Sequence, residues 1–318
     1  MISQSSKSPN AAIDVGANTL RLLIGCVDKG KLIRLSTERA VTRLGKDITQ
    51  KGMLNAECIE KSIRSLIQFK ASIDKYNTHS TIAVGTSALR DAGNSQEFVE
   101  AVRARADISI NIISGDEEAD LTVRGILGND AGLLMPAFIT DIGGGSTEWI
   151  FCDAMASIAA KSSLQIGALR LHEQFIQSDP PAPAEIEKIK NIVFESVTQS
   201  FRMLGISSRI NAGDVKSFVA TGGTATTVSA IDMGLETYNS DSIHLHTISF
   251  KLLEGILDHL SSLPLRERKV VKGLDAERAD IIIPGIIILF ILMEILKTEV
   301  MIVSDYGLLE GILLTQKN

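Results

Sequence analysis

The chain lacks a long apolar run, an excess of positive charge and any paired cysteine motif, and each absence narrows what it can be. The stretch 281–293 is almost wholly apolar. It contains Pro284 and Gly285 and reaches Glu294 before the roughly 18 apolar residues of a membrane span accumulate. The expectation is a buried core helix, with no membrane partner. The first ten residues, MISQSSKSPN, have no apolar segment of the kind a secretory signal carries, and they read as a frayed tail. The formal net charge is −6, which argues against a general nucleic-acid binder. Any polyanion must then be received by a local basic strip. The segment 263–278, with Arg266, Arg268, Lys269, Lys272 and Arg278, is the candidate strip, and a solvated loop is the plainer reading of the same residues. The three cysteines, Cys26, Cys58 and Cys152, are widely spaced and form no CxxC pair. They fit a reducing cytosol, so a cytoplasmic protein is expected.

What is present is enough apolar material for two cores. A length of 318 residues with 45% hydrophobic content is a prior for two domains. The centre of the chain is Asp141-Ile-Gly143-Gly144-Gly145-Ser146-Thr147-Glu148, set between two apolar, β-favouring segments. Three glycines there predict a tight hairpin whose backbone N–H groups are uncovered and can form a concave anion site. The Ser146 and Thr147 hydroxyls are candidate further donors. Asp141 and Glu148 bracket the loop, and two carboxylates would repel a phosphate unless a hard cation such as Mg²⁺ lay with them. A glycine-rich hairpin with solvated acids remains the alternative.

An echo stands at the N-terminus. Asp14-Val-Gly16-Ala17-Asn18-Thr19 also follows an apolar strand and precedes another. Further β-like segments follow both copies, then helical patterning. The two copies imply a two-fold repeat of half-domains whose phosphate hairpins face each other across a cleft.

In chain order, 55–75 has helical spacing and 80–85 reads as a strand. Thr86 and Ser87 open a helix carrying Arg90, either a solvated arginine or a bidentate phosphate clamp. After a strand near 108–113, Ser114 is a plausible N-cap with Asp116, Glu117 and Glu118 in the first turn. Acids there suit the helix dipole, and one of them is also placed to deprotonate a water. The Pro-rich patch Asp179-Pro180-Pro181-Ala182-Pro183 separates helices and reads as a helix start rather than a domain linker. Residues 218–227 combine strand, Gly222-Gly223 turn and helix start with Thr224, a third phosphate-type loop. His244 and His246 alternate along an apparent strand and are read as structural, since no further zinc ligands accompany them.

With these loops assembled, the chain resembles the exopolyphosphatase/guanosine pentaphosphate phosphatase family, within the superfamily of actin, hexokinases and heat-shock chaperones. The resemblance rests on the Asp14 loop, 86–94, 114–119, 141–148, 167–171, 222–226, Glu277-Arg278-Ala279-Asp280 with Pro284-Gly285, and 304–311. It implies an α/β fold of two similar RNase H-like, actin-like domains in the short two-domain form. The expected division is 1–122 plus the C-terminal helix 305–318 against 123–304. The implied activity is hydrolytic removal of the terminal phosphate of inorganic polyphosphate, with guanosine penta- and tetraphosphate as alternative partners. By the same resemblance Glu118 is the catalytic base, and Asp141 and Glu148 hold the metal and help place the water. Asp14 is a further metal candidate. Asn18, Thr19, Gly143 to Thr147, Gly223, Thr224 and Arg90 would hold phosphates. Mg²⁺ or Mn²⁺ is the implied cofactor, K⁺ an additional candidate ion, and a homodimer a candidate assembly. The chain departs from the family pattern at Ala17, where serine is usual, at Asp120, commonly basic, and at Leu309, often arginine. A weakly catalytic sensor of the same ligands and a small-molecule kinase are the competing readings.

Overall fold

Apolar residues recur at helical spacing through 59, 63, 66 and 73 and alternate or run continuously in the segments around them, so strands and helices interleave along the chain. The computed structural model describes residues 8–128 and 132–316. The expected N-terminal tail therefore lies largely outside the described residues. The elements in order are β1 (Asn10–Val15), β2 (Thr19–Asp28), β3 (Lys31–Val41), α1 (Ile48–Lys51), α2 (Ala56–Lys75), β4 (Thr81–Gly85), α3 (Ser87–Asp91), α4 (Ser95–Ala106), β5 (Ile110–Ile112) and α5 (Gly115–Leu127). There follow β6 (Ala137–Ile142), β7 (Thr147–Cys152), β8 (Ile158–Leu164), α6 (Ala168–Phe175), α7 (Pro183–Met203), α8 (Ser207–Asn211), β9 (Ser217–Thr221), α9 (Gly222–Asp232), α10 (Ser240–Ile243) and β10 (Thr247–Ser249). The chain ends with α11 (Phe250–Ser262), α12 (Leu265–Arg268), α13 (Ile282–Leu296), β11 (Val300–Val303) and α14 (Leu308–Thr315).

Two units result, 1–131 with 306–318, and 132–305. The first break falls beyond the expected residue 122 because α5 continues to Leu127 and is sealed to α14. A Cβ on Gly125 would lie 1.9 Å from the Gly307 carbonyl oxygen, and one on Gly311 would lie 1.8 Å from that of Leu121. Glycine at both positions lets the two backbones touch.

The first unit is a mixed sheet in the order β3-β2-β1-β4-β5, antiparallel through the β1–β2–β3 meander and parallel at β1–β4 and β4–β5. β1 is buried along its whole length, as a central strand with helices on both faces must be. Ile13 and Leu22 meet Ile63, Leu66 and Phe98 on one face. Ala12 and Leu23 meet Leu308, Ile312 and Leu313 on the other.

The second unit repeats the plan, with sheet order β10-β11-β9-β6-β7-β8 and the same antiparallel β6–β7–β8 meander beside the parallel pair β6–β9. Its core gathers Phe138, the single Trp149, Phe201 and Phe218, with Trp149 edge-on to Phe201 at 4.9 Å. The apolar stretch near 281–293 is the buried helix α13. No helix among the described residues is long and apolar enough to cross a membrane.

Two expectations fail here. His244 and His246 do not lie on a strand, because Leu245 between them has φ +64°, a conformation no strand accommodates. His246 Nε2 instead lies 2.7 Å from Asp232 Oδ2, and His244 Nδ1 accepts the Asp305 N–H at 3.3 Å. The segment 263–278 is also not one basic strip. Arg268 is 2% exposed and donates to the carbonyls of Leu263 and Ala279 and to Asp179. Burial lowers its pKa against the opposing pull of Asp179 and Asp280. It staples the loop; its charge is not offered to a polyanion.

Candidate active site

In each unit the site residues follow from one strand register. In the second, β6 and β7 are joined by residues 143–146, and Asp141 stands directly opposite Glu148. Both are almost wholly buried, at 6% and 1% exposure. In the first, the equivalent register places Asp14 opposite Arg21. The repeat has thus diverged at one position: Arg21 cancels the charge of its aspartate, whereas Glu148 adds a second carboxylate. Like charges directly opposite on neighbouring strands are destabilising unless a cation lies with them.

The glycine loop is shaped from outside. The first N–H groups of α6 donate to it, Ala168 to the Gly143 carbonyl at 3.0 Å, and Leu169 and Arg170 to that of Gly144 at 2.9 and 3.0 Å. Arg170 Nε adds a bond to the Gly145 carbonyl at 2.8 Å. Because a trans peptide points its N–H opposite its C=O, tying down these three carbonyls turns the N–H groups of Gly144, Gly145 and Ser146 away from α6. Gly167 permits the approach, since a Cβ there would lie 2.4 Å from the Gly144 carbonyl carbon and oxygen. An N–H cradle of the kind that binds oxyanions is thereby held ready.

The two hydroxyls do not join that cradle as donors, a correction to the sequence reading. Ser146 Oγ donates to Glu148 Oε1 at 2.8 Å, and Thr147 Oγ1 donates to the Ile166 carbonyl. Their protons are committed within the protein. The third loop is approached by distant segments. A Cβ on Gly223 would lie 1.7 Å from Arg278 Nη1, so a guanidinium covers this helix start. Thr224 packs against Gly285 of α13. Gly222 instead packs on Asp141, whose Oδ1 would be 2.5 Å from a Cβ there.

In the first unit, the loop after β1 is anchored in the same manner. Gly45 donates to the Ala17 carbonyl at 2.8 Å, and Thr42 and Arg43 donate to that of Asn18 at 3.1 and 2.9 Å. The N–H groups of Asn18 and Thr19 are turned to the other side. Asn18 Nδ2 donates to Thr19 Oγ1 at 3.2 Å, and its buried Oδ1 has no partner among the described residues.

Glu117 and Glu118 separate cleanly. Glu117 closes a capping box with Ser114, accepting the Ser114 N–H at 2.8 Å and donating its own to Ser114 Oγ at 3.2 Å. Glu118 turns inward, 7% exposed, and its Oε2 accepts Arg90 Nη1 at 2.8 Å. Arg90 also donates to the Ile113 carbonyl at 3.0 Å. It is neither a solvated arginine nor held by α3 alone. Of the family departures, Asp120 is exposed and Leu309 is buried in the apolar layer between α14 and the sheet.

Each unit carries carboxylate oxygens of the kind a hard cation takes. Asp14 Oδ2 accepts Arg21 Nε and Nη2 at 3.0 and 2.8 Å, while its buried Oδ1 has no hydrogen-bond partner among the described residues. Asp141 and Glu148 are opposed on adjacent strands. No group of three or more His, Cys, Asp or Glu among the described residues makes a protein-only metal cage. Mg²⁺ rarely uses one, binding through one or two carboxylates with waters and substrate phosphates. Sequence reasoning gave no role to Arg21, Arg170 or Ser163, and strand register from Asp14 and Glu148 is the signal that points to Arg21 and Ser163.

The chain is similar to known proteins over nearly its whole length. The chain is 32% identical over 314 residues to the bifunctional 3-dehydroquinate synthase/phosphatase of Fusobacterium nucleatum, covering 96% of this chain but only 46% of that protein. It is 29% identical to exopolyphosphatase 2 of Mycobacterium tuberculosis, over 96% of this chain and 97% of that one. The crystal structure of an exopolyphosphatase from Cytophaga hutchinsonii matches with a TM-score of 0.86 and 27% identity, over 96% and 97% of the two chains. Residues 23–318 match the model of the Ppx/GppA phosphatase family, and the chain belongs to that family.

Proposed function

We propose that the protein is an exopolyphosphatase that removes the terminal phosphate of inorganic polyphosphate as orthophosphate. The observation that carries the reading is the glycine loop whose carbonyls are tied to α6 and whose N–H groups are left for an oxyanion. The relatives named as exopolyphosphatases over nearly their full length support the same substrate class.

Glu118 takes a proton from the attacking water, whose oxygen bonds to the terminal phosphorus as the bridging P–O bond breaks. The polyphosphate chain, shortened by one residue, is the leaving group, and the terminal group is released as orthophosphate. Arg90 holds the Glu118 carboxylate in place. The N–H groups of Gly144, Gly145 and Ser146 bind the oxygens over which charge spreads in phosphoryl transfer, where positioning and electrostatics do most of the catalysis. Asn18 and Thr19 contribute backbone donors from the first hairpin. Asp141 and Glu148 would hold Mg²⁺ or Mn²⁺, and Asp14 is the candidate oxygen donor of the first unit. When bound, the cation supplies positive charge to the phosphoryl oxygens. Three buried thiols without disulfides support a cytoplasmic setting.

The test is phosphate release in Mg²⁺ from long-chain polyphosphate, guanosine pentaphosphate and ATP in parallel, with Glu118→Gln as control. Release from polyphosphate that the variant abolishes is expected. Release chiefly from the nucleotide would reassign the substrate, and no release from any of them would reject hydrolysis.

A further inference from the structure

The register that opposes Asp141 to Glu148 continues sideways. Glu148 stands opposite Ser163 on β8, and Asp141 stands opposite Thr221 on β9. Ser163, Glu148, Asp141 and Thr221 therefore form one polar row across four adjacent strands. Within that row Ser163 Oγ donates to Glu148 Oε1 at 2.6 Å. The same oxygen accepts Ser146 Oγ at 2.8 Å. Two hydroxyl protons from two different elements thus converge on one oxygen of a carboxylate that is 1% exposed.

We propose that Ser163 is a positioning residue that fixes the Glu148 carboxylate for metal binding. The inference rests on the metal-dependent reading of the acid pair. A carboxylate has two oxygens and a freely turning terminal torsion. Two donors on Oε1 set that torsion and hold the carboxylate in one orientation. Ser146 alone cannot do this with the same rigidity, because it lies in the loop that must accommodate the phosphate. Ser163 lies in a paired strand outside that loop and holds the carboxylate independently of it. Hydrogen bonds of this kind to a ligating carboxylate commonly alter metal affinity by about 10- to 100-fold when removed.

The experiment uses the full chain and Mn²⁺ as probe, with free Mn²⁺ followed by electron paramagnetic resonance in the absence of substrate. Wild type, Ser163→Ala, Ser163→Thr and Glu148→Gln are compared, with thermal unfolding to confirm folding of each. The expected result is a roughly 10-fold or greater loss of Mn²⁺ affinity in Ser163→Ala, recovery in Ser163→Thr, which keeps the hydroxyl, and loss of binding in Glu148→Gln. In turnover, Ser163→Ala should need correspondingly more Mg²⁺ for half-activation, with an unchanged KM for polyphosphate at saturating metal. Equal Mn²⁺ affinity in wild type and Ser163→Ala would overturn the role of Ser163 alone. Failure of the wild type to bind Mn²⁺ would overturn the metal reading and the inference with it. A Ser163→Thr variant as weak as Ser163→Ala would likewise reject the hydroxyl as the operative group.

Discussion

Arg90 Nη1 donates to Glu118 Oε2 at 2.8 Å, with the two side chains only 17% and 9% exposed. An arginine expected on sequence to grip phosphate is also the partner of the residue expected to act as base. Glu118→Gln keeps the shape of the side chain and removes its proton-accepting ability. Turnover should fall by roughly 10²- to 10⁴-fold, the range general bases contribute, with KM little changed. Initial-rate measurements on polyphosphate check this.

Arg90→Ala tests the other half of the pair. Removing the guanidinium takes a counterion from a buried carboxylate and a donor from the Ile113 carbonyl. Stability should drop by about 1–3 kcal/mol and turnover should fall with it. Arg90→Lys retains the charge but not the planar guanidinium whose Nη1 reaches both acceptors. It should recover most of the stability and only part of the rate, as urea unfolding and initial rates would report.

Gly167→Ala probes the glycine loop without touching it. The added Cβ would meet backbone atoms of Gly144 and Gly145 at 2.4 to 2.5 Å, and backbone cannot swing aside as a side chain tip can. The loop must move off α6, releasing the carbonyls whose capture orients its N–H groups. A stability loss of about 1–3 kcal/mol is expected from the crowding. Polyphosphate KM should rise more than in any substitution of the Ser146 or Thr147 hydroxyl, because those protons are already committed elsewhere.

Two further glycines separate packing from propensity. Gly311→Ala would place a Cβ 1.8 Å from the Leu121 carbonyl oxygen and force α14 away from α5. It should cost about 1–3 kcal/mol or more, read as a lower Tm. Gly255, inside α11, has open space around its Cβ position. Gly255→Ala should stabilise by about 0.5–1 kcal/mol, since glycine is the poorer helix former.

The parts of the fold that were legible are those written in local sequence. Asp-x-Gly between apolar runs marks both hairpins, and Ser114 with Glu117 three residues later marks the start of α5. Local pattern alone left Glu117 and Glu118 equivalent as first-turn acids; the resemblance singled out Glu118, and packing shows why they differ, since only Glu118 turns inward to meet Arg90. The surroundings of Gly223 and Thr224 were not legible, because a helix start looks open in sequence whether or not distant segments approach it. Here Arg278 and Gly285 do. The histidine pair was misread because three residues of alternation are too few to exclude a left-handed residue such as Leu245. The contacts of Ser163 and Arg21 depend on cross-strand register, which hydrophobic pattern fixes only to a face.

The buried thiols give a pH dependence whose sign follows from linkage. Burial pushes the Cys152 thiol up from an ordinary value of 9.0 to about 11, with Asp153 adding to it. Cys26 and Cys58 are raised as well, chiefly by burial. Between about pH 9 and 11 the unfolded chain therefore holds fewer protons on these groups than the folded one, and stability falls as pH rises. The stabilisation is fully present below pH 9.0, the unfolded value. For Cys152 alone the loss across the window is about 2–3 kcal/mol, two pKa units at 1.36 kcal/mol each. Urea unfolding at pH 8 and at intervals to pH 10.5 should show that decline. Cys152→Ala should be less stable at pH 8 because it leaves a cavity, yet its stability should fall less steeply with pH. An unchanged slope in the variant would show that another group titrates in that window.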